Sequence, residues 1–409
     1  MRLDVVQTGA QRLARYAAIA LGASLPLSTA LDNVLLVLLL LCWLASGRYG
    51  EKLASIRANP VAVAALVLFA FVLAGLAWGT GPLAEGRLYA KKYSDLIAIA
   101  LLVTVFIDPA DRQRALFALA GSLALTLVLS FALWQGWLVH GGVVIGTPDD
   151  PSVFKQRIPH NVLMAFGLLL YVVLARQARD RVWQIVWIAL AVAAAVNCVL
   201  MVRGRTGYVL IVVFALLVIF SMRQWKTVVA AAVLTAVGLA GAYHFSTGLQ
   251  QRVAQTVAEA RDWKPGVATT TSIGGRLEFY HNTIAIIAEH PILGVGTGGF
   301  RGAYAAHVKG SDMGETHNPH NLYLLVTVQL GLIGLALLAF LLIQQWRYAA
   351  RLTVPDHTLL ARAVVLILAV GGLFNSMIID HTESLFFAWC SGLLFAELAD
   401  AKRERASTA

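Results

Sequence analysis

Apolar residues run through this chain in long blocks rather than in alternation. Read at membrane-helix length, the blocks predict about twelve helices, at roughly 14–30, 31–47, 61–78, 94–107, 113–138, 160–176, 182–202, 206–221, 227–245, 321–345, 360–379 and 384–399. Strands of an outer-membrane barrel would alternate with period two, so a barrel is excluded. The first block follows Arg2, Arg12 and Arg15 and ends near small residues, as a signal peptide would. A second apolar block follows at once, so it is read as a helix. One segment, 246–320, breaks the pattern by being long and polar. The chain therefore divides into a bundle of about nine spans over 1–245, a large loop over 246–320, and about three spans with a short tail over 321–409.

The long loop has a pattern of its own. Gly248 to Trp263 has helical spacing, with Val253, Val257 and Ala260 on one side, and Arg276 to Glu289 reads as a second helix. Pro291 ends that helix, and Gly294, Gly296, Gly298 and Gly299 predict a flexible turn. A structureless connection of this length is uncommon, which points to a functional loop.

Composition narrows the class. Hydrophobic residues make up 59% before the 34 glycines are counted, against about 45–50% with glycine included in soluble domains. Charged residues are 13%, about half the soluble norm, and mean hydropathy is +0.73. These values exclude a disordered chain, a soluble enzyme and a disulfide-stapled domain. The fold class is an all-α polytopic membrane protein. Cys42, Cys198 and Cys390 lie in apolar blocks without metal-ligand spacing and read as small core residues.

The net charge of +10 is assigned to membrane sidedness rather than to nucleic acid. With the N-terminus inside, the inner segments hold Arg2, Arg12, Arg15; Arg48, Lys52, Arg57; Arg112, Arg114; Arg176, Arg179, Arg181; Arg223, Lys226; Arg347, Arg351, Arg362; and Lys402, Arg403, Arg405. That is more than half of the 32 basic residues, all in short segments. Both termini then face the cytoplasm, and the 246–320 loop faces out.

The outward charges are clustered. Arg203 and Arg205 occupy a short connection, Arg87, Lys91 and Lys92 lie in "EGRLYAKKYSD", Lys155 and Arg157 precede the helix near His160, and Arg276 opens "GGRLEFYHN". Snorkelling to headgroups is the simple reading of such residues. Arginines converging on one cavity would instead bind phosphate or pyrophosphate. In "ETHNPHNLYLL", His317 and His320 flank Asn318-Pro319, and His320 stands at the start of the next helix. A helix N-terminus disfavours imidazolium, so a neutral His320 there can accept a proton from a hydroxyl. A turn histidine, or a metal set with Asp312 or Glu315, are the other readings. Gly331 and Gly334 read as close helix packing. Asp380, His381 and Glu383 lie in the last outer turn, where Asp380 can orient a histidine, bind a sugar hydroxyl or simply cap a helix. "GVGTGGF" lacks the strand–turn–helix context of a nucleotide fingerprint, and no nucleophile motif is present. An outer site without nucleotide machinery implies a pre-activated substrate, and a polyprenyl pyrophosphate fits.

These residues resemble the bacterial O-antigen ligases, within a wider group that includes O-antigen polymerases and some protein oligosaccharyltransferases. The resemblance rests on His320-Asn321, nine residues, then Gly331-Leu332-Ile333-Gly334; on "GRTGYV" with Arg205; and on "TSIGGRLEFY" with Arg276 followed by "HPILGVGTGGF". It covers about 195–345. Leu335 stands where the ligases usually carry Gly, Thr or Val, and Gly204 where Ser is common. The resemblance implies a membrane-embedded, GT-C-type inverting glycosyltransferase of the bacterial inner membrane, with a periplasmic active site and no metal or cofactor. The implied donor is undecaprenyl pyrophosphate-linked glycan and the implied acceptor is lipid A-core. Carried onto this chain, Arg205 and Arg276 hold the pyrophosphate and His320 positions or deprotonates the acceptor hydroxyl; Asp380 is assigned a supporting role by its place in the last outer turn and by no motif. Arg203, Arg87, Lys91, Lys92, Arg157, His317 and Asn321 are candidate substrate contacts. The rivals are a polymerase using a second undecaprenyl-linked repeat as acceptor, a protein oligosaccharyltransferase, and a transporter of lipid-linked sugars, which would show repeats and mid-membrane broken helices.

Overall fold

A computed structural model describes residues 2–399 except 203, 223, 246 and 268. The helices in chain order are α1 (Arg2–Ser24), α2 (Thr29–Ala45), α3 (Tyr49–Arg57), α4 (Pro60–Ala74), α5 (Leu83–Tyr93), α6 (Asp95–Val105), α7 (Pro109–Trp134), α8 (Arg157–Gln177) and α9 (Arg181–Val196). They continue as α10 (Arg205–Ser221), α11 (Trp225–Phe245), α12 (Thr247–Asp262), α13 (Ser272–Glu289), α14 (Phe300–His307), α15 (Leu322–Ala349), α16 (Pro355–Gly371) and α17 (His381–Phe395). Among the described residues there is no strand, only two isolated bridges in the α7–α8 loop. The protein is all-α, as the blocks predict, and each predicted apolar block forms a helix.

Helix starts follow capping chemistry. Asn59 and Asp108 accept hydrogen bonds from the N–H groups of the turn that follows, each with proline at the first helical position. Asp180 caps α9 in the same way. α1 starts at Arg2, earlier than its apolar block, because the polar turn before the block continues the helix. α14 was not read from the sequence; it is only eight residues long and follows the glycine turn.

Among the described residues, four helices are long and apolar enough to cross a membrane by length and composition: α7, α8, α9 extended to Met201, and α15. α2 and α3 pass together but are bent by 116°. α4 and α10 are apolar but shorter. α6 has 11 residues, about 16 Å of helix, against about 30 Å of hydrocarbon. It is apolar and mostly buried, as is α17, whose residues Thr382 to Phe395 are all buried. A helix without an exposed face belongs at the centre of a bundle. The two pack on each other, and Trp389 of α17 donates its indole N–H to Ala18 O of α1 at 2.8 Å.

Several segments assigned to the inner side meet through polar contacts. Asp111 accepts from Arg15 at 3.4 Å and Arg114 at 2.7 Å. Asp356 meets Gln177 at 3.0 Å and Arg176 at 3.4 Å. Lys52 of the bent α3 lies 4.2 Å from the Trp43 ring centroid.

The opposite side depends on a break in α15. Gly331 has φ 64° and ψ −168° within the helix. The chain from Pro291 to Gly299 fills the gap: Leu332 N–H donates to Pro291 O at 2.8 Å, and Val328 O accepts from Val295 N–H at 2.8 Å. A Cβ on Gly331 would stand 1.9 Å from Ile292 O. Gly331 is therefore a helix break rather than a helix-packing contact, and Gly334 lies over Leu330 of its own helix. Nor is the 294–299 turn a free one. Thr297 N–H bonds Gly75 O at 3.0 Å, Thr297 Oγ1 bonds Val72 O at 2.6 Å, and Gln329 Oε1 accepts from Gly298 N–H at 2.7 Å. The turn is a buried wedge between α4 and α15. Gly331→Ala forces a side chain into backbone at a left-handed residue and is expected to lower the unfolding temperature in detergent by several degrees, a cost of about 2 kcal/mol or more. Gly121→Ala, on an exposed face of α7 with open space around it, serves as the neutral-to-stabilising comparison. Equal Tm values for the two variants would contradict the wedge.

Candidate active site

Three helices start around one cavity of about 400 Å³. α8 begins with Arg157, α10 with Arg205 and α13 with Ser272. All three residues line it, together with Arg276 one turn into α13 and with Tyr208 and Gln255. The positive ends of three helix dipoles thus coincide with three guanidinium groups, which suits an anion. Local packing sets each arginine. α9 ends in a π turn, Asn197–Met201, held by Asn197 Nδ2 donating to Ser130 Oγ at 2.7 Å. The turn into α10 then crosses Asn161 of α8, whose Nδ2 donates to Val202 O at 3.4 Å. A Cβ on Gly204 would be 2.0 Å from Asn161 Nδ2, a physical reason for glycine here. Arg157 also faces Asp150 at 3.8 Å. On α13, Thr271 caps the first turn through Gly274 N–H, and Glu278 accepts from Nε1 of Trp263, the residue after α12, at 3.2 Å.

A second cavity of about 510 Å³ adjoins the first and shares Arg276 and Ile158 with it. His320, His317, Asn375, Asp380, Glu383 and Lys155 are among its lining residues. His320 has φ 54°, in the left-handed region, which non-glycine residues seldom adopt except at constrained sites. Its N–H donates to Asn318 Oδ1 at 2.8 Å, an oxygen that also accepts from Ser376 Oγ at 2.7 Å. Its carbonyl accepts from Tyr280 Oη at 3.2 Å, and its ring stacks on Phe279 with centroids 6.3 Å apart. Burial, then the charge of Arg276, hold the imidazole below its ordinary pKa, so it is neutral at pH 7. Burial raises the Asp380 carboxyl, and Lys92 opposes the rise. Asn375 Nδ2 donates to Asp380 Oδ2 at 3.0 Å.

The floor of this cavity is an ion pair between Lys155 Nζ and the fully buried Asp32 Oδ2 at 3.5 Å. Lys155 also donates to Thr29 Oγ1 at 2.9 Å, and Asp32 faces His381 Nε2 at 3.4 Å. The pair fastens the α7–α8 loop to α2.

The structure thus brings together His320, Asp380, Arg276, Arg205, Arg157 and His317 of the residues singled out in the sequence. Lys92 approaches Asp380 from α5, whereas Arg87 and Lys91 are exposed on that helix and line neither cavity. Asn321 caps α15, accepting from Leu324 N–H at 3.0 Å and donating to Leu373 O at 3.2 Å, so its amide is spent on backbone. Arg203 lies outside the described residues. Asp312 and Glu315 are exposed, and among the described residues no three His, Cys, Asp or Glu side chains are grouped as metal ligands. Sequence reading missed Asn375, Gln255 and Tyr208; an isolated Asn, Gln or Tyr outside a charged cluster gives no signal.

Comparison with known proteins finds a family resemblance over part of the chain. Residues 190–339 match the family model Wzy_C, described as O-Antigen ligase, and this segment carries His320, Arg205 and Arg276. The resemblance to the O-antigen ligase superfamily drawn from the sequence holds over that segment. No curated protein matches the chain. Among solved structures, one described as "Structural coordination of polymerization and crosslinking by a peptidoglycan synthase complex" is similar at 17% identity and TM-score 0.48, covering 83% of this chain and 96% of that one.

Gly204→Ser is expected to disturb the Arg205 turn by pressing on Asn161, an overpacking cost of about 1–3 kcal/mol. Asn161→Ala in the same chain should recover most of the lost thermal stability. Failure of the second change to recover anything would show that the two residues do not compete for the same space.

Proposed function

We propose that this protein is an O-antigen ligase, a GT-C-type enzyme that moves a glycan from undecaprenyl pyrophosphate to a sugar hydroxyl of lipid A-core at the periplasmic face of the bacterial inner membrane. In this reading the twelve helix blocks are membrane spans, both termini are cytoplasmic, and the 246–320 loop stands over the bilayer. The observation that carries it is the convergence of Arg157, Arg205 and Arg276 on one cavity that shares Arg276 with the His320 cavity.

The pyrophosphate occupies the arginine cavity with its polyprenyl tail in the bilayer. The acceptor sugar enters beside His320. The acceptor oxygen attacks the anomeric carbon from the face opposite the pyrophosphate, and the bond from that carbon to the phosphate oxygen breaks with inversion. The hydroxyl proton passes to a ring nitrogen of His320. The bonding pair leaves on undecaprenyl pyrophosphate, whose charge the arginines stabilise. Asp380 acts behind His320. A neutral histidine is the form this step needs, and the burial and Arg276 charge described above favour it.

Purified protein supplied with undecaprenyl pyrophosphate-linked glycan and lipid A-core, with chelator present, should yield glycosylated lipid A-core. Elongation on the undecaprenyl carrier instead would make the enzyme a polymerase. Arg276→Ala should lower kcat by about 10²–10³-fold, or roughly 3–4 kcal/mol in the barrier. His320→Asn, which tolerates the left-handed backbone, should lose turnover as severely. Folded variants with near-normal turnover would remove these residues from the chemistry. Because the folded imidazole loses its proton more readily than a free one, kcat/KM should hold as the pH falls through about 6.5, the ordinary histidine value, and decline only below it. A decline centred above that value would point to another base.

A further inference from the structure

α2 starts at Thr29, in the wall of the His320 cavity, and ends at Ala45 beside a separate cavity of about 230 Å³. Residues of α1, α2, α3 and α6 line this second site. Three of them are cations, Arg15, Arg48 and Lys52, and Glu51 is the single carboxylate among them. The lining therefore carries an excess of two positive charges. None of these residues takes part in the reaction proposed above.

The cations are held in place, unlike side chains that merely snorkel to the surface. Lys52 Nζ donates to Trp43 O and, at 2.8 Å, to Ser46 Oγ, and it lies over the Trp43 ring. The Trp43 indole is itself fixed, donating to Thr104 Oγ1 at 2.8 Å. Arg15 reaches Asp111 at 3.4 Å through one terminal nitrogen, while its buried Nε has no partner. Arg48 is delivered by the sharp bend after α2, where Gly47 has φ 60° and Arg48 itself φ 53°. A non-glycine residue persists in that left-handed region only where its surroundings impose it. The approach to the site is apolar. Val34, Val37, Leu41 and Leu44 are exposed at helical spacing along α2 up to the bend. Tyr49 and Leu53 of α3 continue the exposed apolar surface past it.

We infer that this cavity binds the phosphate of a net-anionic glycerophospholipid, whose acyl chains lie along the exposed face of α2. Fixed cations with free N–H donors suit a phosphate, and a long apolar face ending at them suits the tails attached to it. A basic pocket between helices at a membrane surface is the setting in which anionic headgroups are recognised. Glu51 sets the preference within the lipids: it repels a further negative charge at the rim, while the excess of cations still favours a headgroup with net negative charge over a zwitterionic one. The inference rests on α2 standing in a bilayer and is independent of the glycosyl transfer proposed above.

The test is native mass spectrometry of the whole protein in detergent, titrated with phosphatidylglycerol and, separately, with phosphatidylcholine of the same chains. One phosphatidylglycerol should bind more tightly than any phosphatidylcholine. Replacing two cations together, Arg15→Gln with Arg48→Asn, should weaken that one binding event about tenfold or more; asparagine is chosen because it tolerates the left-handed backbone. Arg57→Gln removes an exposed α3 charge that does not line the cavity and should leave the affinity unchanged. Glu51→Gln removes the opposing charge and should tighten binding, which keeps the test decisive even if the double variant fails to fold. Equal affinity for the two lipids, or an Arg57→Gln loss as large as that of the double variant, would reduce the site to general surface charge and overturn the inference. Displacement of the bound lipid by inorganic phosphate alone would overturn it too, by giving the cavity to a free anion. Turnover is not a readout here, so failure of the transferase reading leaves the result intact.

Discussion

A helix that spans apolar surroundings cannot leave its backbone groups unpaired, and α15 is interrupted at Gly331 all the same. The freed groups are taken up by main chain from the 290–299 segment, which enters the gap and is clasped from the far side by the end of α4. The end of the molecule that carries both cavities hangs on this exchange. It sets where α13 stops, and so where Arg276 stands, and it fixes the half of α15 whose start carries His320. The two glycine-rich motifs are one structural device: positive φ at Gly294, Gly296 and Gly298 lets the wedge fold, and positive φ at Gly331 makes room for it.

Chemistry is gathered above this device from elements far apart in the chain. Arg157, Arg205 and Arg276 come from three helix N-termini, where backbone dipoles add to side-chain charge. His320 comes from the loop before α15, and Asp380 from the turn before α17. The Lys155–Asp32 pair is buried, and such pairs contribute little net stability against apolar alternatives. Its geometric effect is clear: it ties the loop that lines both cavities to the core of the bundle.

Much of this was legible in the sequence. Continuous apolar blocks identify helices without ambiguity, and the helical pattern of 248–263 and 276–289 matches α12 and α13 closely. His320, Arg205 and Arg276 stood out because charge and histidine at the edge of apolar helices are costly to place without cause. What could not be read was partnership. Nothing in periodicity says that Gly331 and Pro291 meet, so the glycines looked like packing contacts and a loose turn. α5 looked like a cluster of three candidate cations, yet helical rotation turns Lys92 toward Asp380 and leaves Arg87 and Lys91 outside. Asn375 carries neither charge nor motif, and only the fold places it against Asp380.

Arg276 is a party wall. Its guanidinium faces the anion cavity on one side and depresses the basicity of His320 on the other. An anion seated against it offsets that positive charge, and the imidazole then gains proton affinity. Under the function proposed above, His320 is weakest as a base while the anion cavity is empty and gains strength once the donor's pyrophosphate is seated. In that reading the occupancy of one cavity tunes the proton affinity in the other, so the donor itself raises the basicity that its acceptor needs.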